Sequence, residues 1–149
     1  MADTAKVPSI QSERPAGITI LGIAYIIFGV LMIMTVTMVV TFTSMMGGYS
    51  SMLNNMMGNT MTVFAGFIVV GVGVLAAIEF TIAWALFSGK NKGRTTVIIL
   101  SMIDFIIHCV TLFVGNVFAI PHIILDLITF FYMWKPNVVE YYNQNIKFV

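Results

Sequence analysis

The sequence predicts an all-α integral membrane protein, a four-helix bundle with both the N and C termini on the cytoplasmic side. Of its residues, 59% are hydrophobic and only 9% are charged, which is far from the balance of a soluble domain. Four long apolar segments follow one another, and all basic residues lie before the first, between the second and third, or after the fourth. They are Lys6, Arg14, Lys90, Lys92, Arg94, Lys135 and Lys147. Because Lys and Arg are retained on the cytoplasmic side of spanning helices, this distribution predicts the orientation.

Each apolar segment is near or above the roughly 20 residues that cross a bilayer core. We predict helices at about 18–43, 60–87, 95–114 and 117–134, an outer Met-rich loop at 44–59 and an inner basic loop at 88–94, all in one transmembrane domain. Since Gly115-Asn116 is only a tight turn, the last two helices form an antiparallel hairpin. The polar N-terminal segment lacks the features of a secretory signal, and we expect a multi-pass protein of the cell membrane.

The second predicted helix carries small residues on one face. Gly66, Gly73 and Ala77 recur at i, i+7 and i+11, a spacing that lets a neighbouring helix backbone come close. We therefore expect membrane lipids and other transmembrane subunits as partners. Nucleic acid is excluded, because the formal net charge is only +1 and no basic stripe exists.

Five ionisable residues lie inside the apolar segments: Glu79, Asp104, His108, His122 and Asp126. An Asp at the centre of a spanning helix costs roughly 2.5 to 3.5 kcal/mol on insertion, so such residues face the bundle interior by default and mark functional positions. The sequence therefore predicts an intramembrane polar cluster.

Their spacing brings these residues together. Asp104 and His108 share one stripe of the third helix with Ser101 and Thr111, and His122 and Asp126 share one stripe of the fourth with Thr129. Folding the hairpin about Gly115 pairs residues whose numbers sum to 230, which sets His108 beside His122 and Asp104 beside Asp126. Glu79 lies at the same depth, counted from the inner end of its helix at about 1.5 Å per residue.

Three interpretations of this cluster stay open. It can be an interhelical hydrogen-bond network, which stabilises by about 0.6 kcal/mol per contact and needs no cofactor. It can be a metal site, since imidazoles and carboxylates bind zinc, iron or copper. It can also be a proton or ion route, because carboxylate and histidine chains mark such routes in membrane proteins.

Methionines crowd the outer loop and its edges. They are Met45, Met46, Met52, Met56, Met57 and Met61. Soft thioethers suit Cu(I), so these residues are candidate copper ligands. The alternative is that Met is a flexible apolar filler and that the loop packs on a partner.

The chain resembles small four-helix membrane proteins predicted in archaea and bacteria. Their opening motif, Arg-Pro-x-Gly-Ile/Val-Thr-Ile-Leu, matches Arg14-Pro15-Ala16-Gly17-Ile18-Thr19-Ile20-Leu21. Their second helix closes on a Trp before a basic loop, as Trp84 and Gly89-Lys90-Asn91-Lys92 do, and their last helix exits like Tyr132-Met133-Trp134-Lys135-Pro136. More loosely, the chain is similar to small accessory subunits of archaeal membrane enzymes such as ammonia monooxygenase. The resemblance implies no activity that can be carried over residue by residue.

These features predict a non-catalytic accessory subunit of a larger membrane complex, with a copper-dependent monooxygenase such as ammonia monooxygenase as a candidate. The predicted cytoplasmic parts leave no room for a soluble catalytic domain, and the sequence has no nucleophile with an adjacent base and no Gly-rich phosphate loop. No cofactor is expected in that role. The alternative is a protein that handles copper or conducts protons or ions through the intramembrane Asp/Glu/His cluster.

Overall fold

The computed structural model describes residues 13–47 and 60–144, and all regular structure within them is helical. The helices are α1 (Ala16–Gly47), α2 (Thr60–Ser88), α3 (Asn91–Phe113), α4 (Ala119–Met133) and α5 (Pro136–Gln144). Among the described residues, α1, α2 and α3 are long and apolar enough to cross a membrane, and α4 is a shorter apolar helix of 15 residues. The predicted all-helical architecture is confirmed, and the fourth span stays a prediction.

Helices α1 to α4 form two antiparallel hairpins. One pairs α1 with α2, the other pairs α3 with α4, and the hairpins meet mainly along α2 and α3. The turn between α3 and α4 places Gly115 at a φ of 98°, which favours glycine because it has no Cβ. We call the end where α2 ends and α3 begins the basic end, because most basic residues lie there, and the opposite end the far end.

Close packing of α1 on α2 depends on glycines of α1. A Cβ built on Gly22 would lie 2.5 Å from the Phe87 ring, and one on Gly29 would lie 3.1 Å from the Phe80 ring. These glycines therefore let two aromatic side chains of α2 lie against the backbone of α1.

The small-residue face predicted on α2 is open among the described residues. None of them lies within 4 Å of a Cβ built on Gly66 or Gly73, and Ala77 is exposed. No described helix of this chain approaches these positions, so close packing there stays a prediction about another chain.

The predicted inner basic loop at 88–94 needs correction. The loop is shorter than predicted, because α3 begins at Asn91 and includes Lys92 and Arg94 in its first turn. Gly89 follows α2 with a φ of 63°, the left-handed conformation that commonly ends a helix.

The sequence analysis missed α5. Its first residue is Pro136, whose ring fixes φ at a value that suits the start of a helix.

The apolar core fills the half of the bundle nearest the basic end. Its buried residues are Ile18, Leu21, Tyr25, Ile82, Ala83, Ala85, Leu86, Val97, Met133, Val138 and Tyr142. Val138 and Tyr142 belong to α5, so this last helix is docked on the core by one apolar face. The Tyr142 hydroxyl donates to the Leu86 carbonyl at 3.0 Å, and burial raises the pKa of this phenol, which therefore stays a donor.

Arginines satisfy the last carbonyls of α2 and α4, which have no partner inside their own helices. Arg14 Nη2 donates to the Phe87 carbonyl at 3.1 Å, and Arg94 Nε donates to the Met133 carbonyl at 3.1 Å. Arg14 Nε also donates to the Tyr141 hydroxyl at 3.4 Å. This contact brings the two ends of the described chain to the same end of the bundle.

Candidate functional site

The five predicted cluster residues lie together in the middle of the bundle. Glu79 comes from α2, Asp104 and His108 from α3, and His122 and Asp126 from α4. The three carboxyl side chains and His108 are buried, with residue exposures of 3% or less. The spacing of Asp104 and His108, one helical turn apart, sets both on the face of α3 that packs against α4.

An Asp-His-Asp group forms the part of the cluster nearest to α3. His108 Nδ1 lies 3.6 Å from Asp104 Oδ1 and 3.9 Å from Asp126 Oδ2. One candidate ligand atom from each residue lies within 4.8 Å of the other two, and all three residues are buried. The same Nδ1 donates to the Asp104 carbonyl at 3.0 Å. This group could hold a metal ion.

Glu79 and His122 form a second pair beside the first. His122 Nε2 lies 3.7 Å from Glu79 Oε1, which is too long for a hydrogen bond. His122 Nδ1 donates to the Phe118 carbonyl at 3.3 Å, which leaves the lone pair of the neutral ring on Nε2. Its nitrogen lone pair is therefore directed at a buried carboxyl group.

The cluster contains many buried polar atoms without a hydrogen-bond partner among the described residues. They are Glu79 Oε1 and Oε2, Asp104 Oδ1 and Oδ2, His122 Nε2, Asp126 Oδ2 and Thr129 Oγ1. Buried polar atoms are almost always paired, and each one left unpaired costs about 1 to 3 kcal/mol. This concentration in one place makes the cluster the candidate binding site.

Tyr25 is a member of the cluster that the sequence analysis missed. It is fully buried, and its hydroxyl donates to Asp126 Oδ1 at 2.9 Å. Depth along the helix could have identified it, because Tyr25 lies nine residues after the start of α1 and Glu79 nine residues before the end of α2. At about 1.5 Å per residue both stand at the same level above the basic end.

A cavity of about 960 Å³ lies on the far side of the cluster, between the two hairpins. Its walls are mostly apolar, with Phe28, Leu75 and Ile107 among them, and both His108 and His122 line it. The histidines therefore separate an apolar cavity from the buried carboxyl groups.

Most of the predicted copper ligands lie outside the described residues. Met45 is exposed near the far end of α1. The segment with Met52, Met56 and Met57, and the side chains of Met46 and Met61, are not described. Copper binding by this loop stays a prediction.

Comparisons with known proteins find no match to this chain: no protein-family model, no curated protein and no solved structure matches it. Function must therefore be inferred from the site itself.

Proposed function

We propose that this is a metal-binding protein of the membrane, in which Asp104, His108 and Asp126 hold one transition-metal ion. The observation that carries the proposal is the buried Asp-His-Asp group, whose ligand atoms lie within 4.8 Å of one another. A divalent cation offsets the two carboxylate charges and binds oxygens that otherwise have no partner. A mixed nitrogen and oxygen donor set suits zinc, iron or copper.

Small movements would complete such a site. Donor atoms about 2.1 Å from a tetrahedral metal lie about 3.4 Å apart. The two distances from His108 Nδ1, 3.6 and 3.9 Å, are close to this value, and all three ligand atoms lie within 4.8 Å of one another. Coordination by His108 Nδ1 would replace its hydrogen bond to the Asp104 carbonyl. Glu79 and His122 stand next to the group and supply further donors.

The contacts of the histidines weigh against a purely structural network. Such a network needs side-chain hydrogen bonds between Asp and His, but both Nδ1 atoms bond to carbonyls of their own helices. Conduction is also disfavoured, because Ile18, Ile82 and Val97 are fully buried between the cluster and the basic end. Binding agrees with both observations.

Metal content of the purified protein tests this proposal. We expect about one Co²⁺ or Zn²⁺ per chain by elemental analysis, with visible absorption from Co²⁺ that reports nitrogen and oxygen ligands. Asp104→Asn and Asp126→Asn should each weaken binding at least about tenfold. Ser101→Ala is the matched control, since Ser101 is buried on the same stripe of α3 but is no ligand. Equal binding by all variants, or none by the unaltered protein, would refute the site.

We also propose that the chain is an accessory subunit of a larger membrane complex, with both termini in the cytoplasm. At about 1.5 Å per residue the 32 residues of α1 extend about 48 Å, although a bilayer core is only about 30 Å thick. Toward the far end, Phe42, Phe64 and Phe67 are 60%, 67% and 74% exposed. Another chain that packs on this end would cover these rings. The resemblance to accessory subunits favours a copper-dependent monooxygenase such as ammonia monooxygenase as the partner.

Native separation after gentle detergent extraction tests the subunit role. We expect the chain to migrate with larger subunits and to lose them in the double variant Phe42→Ser/Phe67→Ser. Phe113→Ser is the control, because Phe113 is 93% exposed at the end of α3 and lies off this surface. Migration of the unaltered chain alone would contradict the proposal.

A further inference from the structure

The cavity between the hairpins has a polarity opposite to that of a phospholipid site. Its walls are mostly apolar, whereas the side that faces the buried carboxyl groups is lined by the imidazoles of His108 and His122. A phospholipid keeps its polar head at the membrane surface and puts apolar chain ends deepest. Both Nδ1 atoms already bond to carbonyls of their own helices. A chain end placed here would leave His108 Nε2 without a hydrogen bond, which is unfavourable for a buried polar atom.

We propose that this cavity binds a lipid-soluble quinone or hydroquinone, with its oxygenated ring against the histidines and its apolar tail along the walls. The volume, about 960 Å³, lies at the upper end of the range of roughly 300 to 1,000 Å³ that small-molecule sites occupy. A molecule with a polar ring and an apolar chain can enter such a cavity from the hydrocarbon, ring first.

Three flat side chains favour a ring at this position. The rings of Phe28 and His122 are 4.4 Å apart between centroids, and those of His122 and His108 are also 4.4 Å apart. Both Phe28 and His122 line the cavity together with His108. Flat rings pack well on such a surface, since aromatic groups prefer offset-stacked or tilted neighbours.

His108 supplies the hydrogen bond that distinguishes an oxygenated ring from a plain hydrocarbon. Its side chain is 4% exposed, and its Nδ1 donates to the Asp104 carbonyl. The neutral ring then carries its lone pair on Nε2, which accepts from the hydroxyl of a hydroquinone. If Nδ1 instead binds a metal, Nε2 carries the proton and donates to a quinone carbonyl. His108 therefore offers a partner to the hydroquinone when no metal is bound, and to the quinone carbonyl when Nδ1 binds a metal.

Titration of the detergent-purified full-length chain with decylubiquinone and its hydroquinone tests the proposal. We expect saturable binding of about one molecule per chain above partitioning into empty micelles. Gly71 lines the cavity and has open space above its Cα, so Gly71→Phe fills the cavity and should weaken binding at least about tenfold. Gly66→Phe is the matched control, because Gly66 on the same helix also has open space and is not in the lining.

Two further measurements separate quinone binding from metal binding and from binding of acyl chains. His108→Phe keeps a flat ring but removes Nε2, and we expect about tenfold weaker binding. Repeating the titration after chelator treatment separates the cavity from the metal site, because hydroquinone binding should persist without metal. Equal binding to Gly71→Phe and Gly66→Phe, or complete displacement by phospholipid alone, would mean that the cavity holds acyl chains and would overturn the proposal.

Discussion

The imidazoles of His108 and His122 stack face to face, with centroids 4.4 Å apart and planes inclined by 16°. The stack joins α3 to α4, and the ring of Phe28 extends it to α1. It lies between the cavity and the buried carboxyl groups. His108 would therefore contact both the oxygenated ring proposed for the cavity and the proposed metal.

The stacked rings predict different effects on stability for two substitutions of His122. We expect His122→Phe to leave the thermal unfolding temperature unchanged or slightly raised, because the ring is retained and an unpartnered buried Nε2 is removed. His122→Ala loses both stacked neighbours and should reduce stability by at least about 1 kcal/mol. Unfolding of both variants in the same detergent provides the comparison, and equal losses would show that the ring contacts contribute nothing.

The hydrogen bond from Tyr25 to Asp126 predicts a second pair of variants. Tyr25→Phe removes the donor at 2.9 Å and leaves another buried carboxyl oxygen unpaired, which should lower the free energy of unfolding by about 1 to 3 kcal/mol. Tyr141→Phe makes the same chemical change where Arg14 donates at 3.4 Å in an exposed setting. We expect that control to change stability by less than about 0.5 kcal/mol. A similar loss in both variants would contradict the role assigned to Tyr25.

Two glycines, one packed against the neighbouring helix and one facing open space, predict opposite effects of substitution on stability. Gly22→Leu forces a side chain against the Phe87 ring and should destabilise the chain by about 1 to 3 kcal/mol. Gly66→Leu enters open space and replaces a poor helix former, so it should be neutral or stabilising in the isolated chain. Unfolding in detergent measures both. If Gly66→Leu is harmless alone but prevents assembly in the native membrane, another helix packs on that face.

Residue spacing predicted one contact at the centre of this molecule. The polar stripes of α3 and α4 and the short turn at Gly115 predicted that His108 would lie beside His122, and the rings are in contact. Tyr25 was missed because a tyrosine in an apolar helix carries no charge to mark it, and its role arises only when α1 packs across the cluster. The cavity could not be predicted, because it depends on how two hairpins diverge and not on any local pattern.

The glycines that pack closely within the described chain are not those whose spacing is most regular. Spacing of small residues shows where a backbone can be approached, but not which neighbour approaches it. The glycines of α1 at 22 and 29 contact aromatic rings of α2, while the more regular set on α2 faces outward. Helix α5 was missed because its core contacts, through Val138 and Tyr142, lie far from it in sequence.

Access to the cluster should be possible from the far end only. Thr111 lines the cavity, whereas Val97 is fully buried in the core toward the basic end. In a Cys109→Ser background, a neutral membrane-permeable maleimide should label Thr111→Cys readily and Val97→Cys at least about tenfold more slowly, since a buried thiol reacts poorly. The Val→Cys change is nearly isosteric. If both variants unfold at similar temperatures, a difference in labelling rate is not due to misfolding.

Occupation of the cavity by decylubiquinone should protect the cysteine at 111 from labelling and leave the labelling of the one at 97 unaffected. Rapid labelling at both positions would instead indicate a path open through the core, and would restore conduction as an explanation of the buried acids.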